Sequence, residues 1–206
     1  MNRRGLLVTV LGLFLCSVAP APASAQAVDT KSAATFVAAM VDEFFGTLAG
    51  KTLTRDERSR FLDGLMHRYA DVQKTSEELI GRSWSRASES EQALFQQTLV
   101  AYMLALWSGS VNEITPGQKI VVTGAEPHGD FALVRSIATC PGEDTSHVEW
   151  LIGRGVNNQL FVADVAVDGV SMIRVMKSDF SSVLFANSGR LGSLIAGMQK
   201  KIQAVN

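Results

Sequence analysis

Residues 119–167 read KIVVTGAEPHGDFALVRSIATCPGEDTSHVEWLIGRGVNNQLFVADVAV, and this stretch decides the fold. Within it Lys119 to Ala125, Phe131 to Thr139, Val148 to Arg154 and Gln159 to Val167 have strand length and β-branched enrichment. Between them stand Glu126-Pro127-His128-Gly129-Asp130, Pro141-Gly142-Glu143-Asp144 and Gly155-Val156-Asn157-Asn158, three clusters of turn formers. A parallel return needs a crossover of about a dozen residues or more, so joints this short predict antiparallel neighbours. Asp168-Gly169 reads as a turn or a bulge ahead of Val170-Ser171-Met172-Ile173.

Upstream, the apolar period changes from two to three and four. Phe36, Val37, Met40, Val41, Phe44, Phe45 and Leu48 form one helical stripe between Asp29 and Ala49. Thr54-Arg55-Asp56-Glu57 offers a capping box for a second helix with Phe61, Leu62, Leu65, Met66 and Tyr69 on its face. Ser76 to Trp84 reads as a short helix ending near Gly81. Ser88-Glu89-Ser90-Glu91 opens a longer one that runs through Leu99 and Met103 to Trp107, with Ser108-Gly109-Ser110 as its stop. Downstream, Ser178 to Ala186 and Leu191 to Ile202 read as helices. Helices, a meander of strands and helices again predict an α+β domain, with helices packed on a curved antiparallel sheet enclosing an apolar cavity.

The first 25 residues have a basic start at Arg3-Arg4, an apolar run from Gly5 to Ala19 and a small-residue exit at Ala23-Ser24-Ala25. That order describes a secretory signal peptide. Leu13-Phe14-Leu15 puts large residues ahead of Cys16, which argues against lipoprotein acylation. Gln26 to Asn206 is then a single domain of 181 residues, large enough to bury roughly 70% of its unfolded surface without a disulfide. Loss of Arg3 and Arg4 leaves 17 basic against 20 acidic residues, a net charge of −3, which argues against nucleic acid as a partner. No apolar run of membrane-spanning length follows the leader, so the mature chain is expected to be soluble.

Catalytic chemistry is sparse. His67, His128 and His147 form no metal-ligand pair at helical spacing, and no cofactor or metal is expected. Cys140 and His147 flank a turn, but a thiolate–imidazole couple needs contact and a third orienting group. Gly46-Thr47-Leu48-Ala49-Gly50-Lys51-Thr52 imitates a phosphate loop, yet it is one residue short and follows a helical stripe where a strand is required. The chain does not read as an enzyme.

Val162-Ala163-Asp164-Val165-Ala166-Val167-Asp168-Gly169-Val170-Ser171-Met172-Ile173, followed by Lys177-Ser178-Asp179-Phe180, resembles the periplasmic phospholipid-binding component of Mla-type lipid transport. This is the toluene-tolerance auxiliary family, which has a subgroup associated with hopanoid biosynthesis. Leu79-Ile80-Gly81-Arg82-Ser83-Trp84 with Phe95 resembles a second element of the same family, so the likeness covers nearly the whole mature chain. The resemblance implies a periplasmic carrier that shields a phospholipid or other membrane lipid. Its implied partners are an inner-membrane lipid transporter with its lipid-binding ring subunit and an outer-membrane lipoprotein complex. Asp164, Gly169 and Ser171 match the family's turn-and-strand motif. The chain departs from the family at Leu160, where Trp is usual, and at Met176-Lys177, where Tyr-Arg is usual. Lys177 keeps a cation at the head-group position but lacks the guanidinium fork, which shifts the expectation toward a polycyclic or weakly polar lipid.

An exposed tail methylene costs about 0.8 kcal/mol in water, so a carrier needs a shielded tunnel rather than a shallow groove. Tyr69, Leu79, Leu99, Met103 and Leu106 are the expected lining from the helices, facing Val122, Val134, Trp150, Val165 and Phe180. The same periodicities also build an ordinary core. The alternative is therefore a secreted structural or interaction module without a functional lipid cavity, and the discriminating observation is a contiguous apolar hollow that reaches solvent.

Overall fold

The computed structural model describes residues 27–48, 53–111, 117–155 and 157–205. The expected signal peptide, Cys16 and the Gly50-Lys51-Thr52 end of the phosphate-loop imitation lie outside them. The described elements run α1 (Thr30–Leu48), α2 (Arg55–Tyr69), α3 (Val72–Ile80), α4 (Arg82–Arg86) and α5 (Glu89–Val111). The strands β1 (Lys119–His128), β2 (Phe131–Thr139), β3 (Ser146–Arg154), β4 (Leu160–Val167) and β5 (Val170–Ser171) follow, then α6 (Met172–Ala186) and α7 (Leu191–Val205). Among these no helix is long and apolar enough to cross a membrane.

All strand pairs are antiparallel, in the order β1-β2-β3-β4-β5. The α+β class and the antiparallel meander stand, but the expected curved sheet wrapped around a cavity is corrected. The sheet is neither curled nor closed: β1 and β5 are open edges. Closure would require the edges to meet, and the ladder ends after two residues of β5 because the chain turns into α6 at Ser171. One inner face presents Ile120, Val122, Ala132, Val134, Val148, Trp150, Ile152, Val162 and Val165, set by the register Val134↔Trp150↔Val165.

The ambiguous Asp168-Gly169 is a two-residue hairpin turn. Both residues have positive φ, 48° and 82°, as a type I′ loop between right-twisted strands requires. The Asp168 carboxylate accepts the His147 N–H at 2.8 Å, which ties the turn to the start of β3.

Both capping boxes read from the sequence are present. Thr54 Oγ1 accepts the Glu57 N–H at 3.3 Å while Glu57 accepts the Thr54 N–H at 2.9 Å, and Ser88 and Glu91 repeat the exchange at 3.3 and 2.9 Å. Three helix bounds differ from expectation. α3 starts at Val72 because Asp71 caps it, accepting the Lys74 N–H at 3.0 Å. α5 continues through the Ser-Gly-Ser stop. α6 starts at Met172, six residues before Ser178, because Ser171 is its cap.

The apolar interior divides in two. One core joins α3, α5, α6 and α7 through Leu79, Phe95, Leu99, Phe180, Leu194 and Met198. The other packs α1 onto the sheet through Val37, Val41, Ala132, Val134 and Ile152.

The cap carboxyls carry a pH signature. Glu57 and Glu91 lie below the ordinary carboxylate value because each accepts the backbone N–H and then the hydroxyl of its capping partner. Their contribution is complete above the unfolded value and is lost as pH falls through the lowered folded value. Hydrogen-exchange protection at the first turns of α2 and α5 is therefore expected to fall in that acid window, before protection in β2 and β3 does.

Candidate functional site

Between the two cores lies a cleft of about 610 Å³, within the size range of small-molecule sites, and it opens to solvent. Its floor is the inner sheet face, with Ile120, Ala138, Trp150, Val162, Val165 and Val167. Its walls are helical: Met40 and Phe44 from α1, Leu65 and Met66 from α2, Leu99, Met103 and Trp107 from α5, and Met172, Ile173 and Met176 from α6.

The polar atoms in this lining are largely turned to partners within the protein, which leaves carbon facing the hollow. Trp150 donates its indole N–H to Ser136 Oγ at 2.9 Å, and Ser136 donates onward to the Val148 carbonyl at 3.1 Å. Tyr69 donates its hydroxyl to Glu43 at 2.8 Å, and Arg68 pairs with the same carboxylate. Burial first, and the bond to Glu43 second, push the Tyr69 phenol above its usual value, so it stays neutral. One end of the cleft is different. The start of β1 and the β2–β3 turn bring Gln118, Lys119, Thr139, Glu143, Asp144 and Ser146 to it, and Thr139 Oγ1 is buried there without a partner. The site is thus amphiphilic along its length.

The motif centred on Asp164 positions one wall. Asp164 Oδ2 accepts the Ser171 hydroxyl at 2.5 Å, while Oδ1 accepts the N–H groups of Ile173 at 3.0 Å and Val165 at 2.8 Å. Ser171 Oγ in turn accepts the Arg174 N–H at 3.0 Å. Strand β4 thereby holds the first turn of α6, whose orphan donors need acceptors, and so fixes Met172, Ile173 and Met176 against the cleft.

The structure brings Tyr69, Leu99, Met103, Trp150 and Val165 together around this hollow. Leu79 and Phe180 lie instead in the helical core, and Val134 in the core beneath α1, where Val122 also packs. Leu106 is exposed. These five share the apolar periodicity of the lining, and only the packing of the layers separates them from it. Asp164 lines the cleft, Ser171 caps α6 beside it, and Gly169 sits in the hairpin. Lys177 stands outside the lining, on the surface, ion-paired to Glu78 at 2.5 Å. Sequence reasoning missed Met40, Phe44, Met66, Met172, Ile173 and Met176; the recurrence of methionine on the helical stripes was the available signal.

Cys140 lines the polar end and accepts a bond from Gln118 at 3.1 Å, whereas the pleat turns His147 to the opposite sheet face, in register with Ile137. Among the described residues no cluster of three His, Cys, Asp or Glu is placed to hold a metal ion.

This combination of an open antiparallel sheet, a helical layer and an apolar cleft with one polar end defines a lipid-binding type of domain. The family described as MlaC protein matches residues 38–200, and the chain belongs to it. It is thereby a periplasmic lipid-binding transport protein. A similar solved structure is a phospholipid-binding protein from Ralstonia solanacearum in complex with a phospholipid. It is 20% identical, with a TM-score of 0.73 over 84% of this chain and 98% of that one, a likeness of fold. No curated protein matches the chain.

Ser171→Ala removes the α6 cap and one donor to Asp164. It is expected to cost about 1–2 kcal/mol in urea denaturation, against a near-neutral Ser182→Ala on the exposed side of the same helix.

Proposed function

We propose that the protein carries one membrane lipid, a phospholipid or a hopanoid-like lipid, through the periplasm with its tails in the cleft and its head at the polar end. The observation that supports this most directly is the cleft itself: an apolar hollow between two complete cores, which the protein leaves unfilled by its own side chains. A tail of roughly a dozen methylenes gains about 10 kcal/mol on leaving water, enough to hold an otherwise insoluble cargo without a covalent step. The satisfied Trp150 and Tyr69 add no unpaired donor along the tail's path.

In this reading residues 1–25 are a secretory signal peptide. The carrier exchanges cargo with an inner-membrane transporter bearing a lipid-binding ring subunit and with an outer-membrane lipoprotein complex. The Asp164 motif acts by positioning the α6 wall, with Gly169 shaping the hairpin, rather than by gripping a head group. Lys177, on the surface with Glu78, leaves the head group to the β2–β3 end.

Protein purified from the periplasm is expected to release lipid on solvent extraction, identified by mass spectrometry. Val165→Trp, which fills the floor, is expected to reduce the recovered lipid several-fold while the fold persists by circular dichroism. Lipid-free protein in repeated native preparations would favour a structural or interaction module instead.

A further inference from the structure

Five of the chain's seven methionines line the cleft, and four of the five helices that wall it contribute them: Met40 from α1, Met66 from α2, Met103 from α5, and Met172 and Met176 from α6, while α3 supplies Val72 and Thr75. Of the other two, Met198 is buried in the helical core and Met1 lies outside the described residues. The floor is built differently. Ile120, Val162, Val165 and Val167 are β-branched and stiff at χ1, and Trp150 is pinned by its bond to Ser136. The cleft therefore has a rigid floor and a pliable roof. Methionine is unbranched, has three rotatable bonds and a polarisable sulfur, and repacks around differing shapes where branched side chains do not.

We infer that this roof sets the cargo class of the cleft: lipids accepted for the apolarity of their tails and not for tail shape, so that straight, bent and methyl-branched tails bind alike. The inference rests on the carrier reading and adds a specificity to it. A fixed hydrophobic pocket separates ligands that differ by one methylene about tenfold or more, whereas a roof that moves its own methylenes flattens that difference. Met40 and Met103 are half-buried and Met172 is exposed, so all three have room to follow the cargo.

The test uses the full mature protein stripped of lipid and three phosphatidylglycerols of equal carbon count, with saturated, cis-monounsaturated and methyl-branched tails, each displacing a fluorescent phospholipid. The wild-type affinities are expected to fall within about threefold of one another. In Met40→Ile/Met103→Ile/Met172→Ile the spread is expected to widen to about tenfold or more, with a melting temperature near wild type. Met198→Leu, outside the cleft, retains the narrow spread. If the triple variant does not fold, Met103→Ile alone serves for the same comparison. A tenfold spread in the wild type, or an unchanged spread in the folded variant, overturns the inference while leaving the carrier reading intact. Failure to bind any of the three lipids overturns the carrier reading and the inference with it.

Discussion

The constraint on which the rest of this structure depends is that its apolar interior is closed at two places and left open between them. The helical core around Phe95, Leu79 and Phe180 and the core of α1 on the sheet around Val37 and Val134 are each densely buried. Each is complete enough to order its own layer. The hollow between them therefore does not have to be filled for the layers to hold their places. In a single-core domain of the same size, an unfilled volume would be a direct loss of packing.

Two polar devices keep the layers in register across that hollow. Tyr69 and Arg68 of α2 meet Glu43 of α1, closing the helical side. Asp164 of β4 accepts from Ser171, Ile173 and Val165, joining the sheet to α6. Each is built on one carboxylate that accepts directional bonds, and both leave the adjacent hydrocarbon facing inward. Helix α6 thus belongs to both sides: Phe180 is embedded in the helical core while Met172 and Ile173 face the cleft.

The open sheet follows from the same junction. A two-residue β5 cannot extend the ladder, because Ser171 must leave the strand to cap the helix. The sheet consequently serves as a floor, with its β-branched rows presented to the hollow and Arg135 bonded to Glu126 and Glu149 on the solvent side. Stiffness below and methionine above are a division of labour between a ladder that fixes side-chain spacing and helices that allow unbranched side chains to move.

The sequence by itself determined the antiparallel meander, both capping boxes and the amphipathic faces, since each depends on neighbours a few residues apart, and it left Asp168-Gly169 as either a turn or a bulge. Asp164, Gly169 and Ser171 stood out through the family resemblance, and the bond between Asp164 and Ser171 became visible only in the structure. Tertiary structure alone decided whether the sheet closes and which apolar residues face the hollow. Leu79 and Met103 carry the same helical signal, yet one is sealed in a core and the other reaches the cleft. Periodicity states which face of an element is turned inward; what that face meets is set by contacts between elements distant in sequence, and those exist only once the layers have packed.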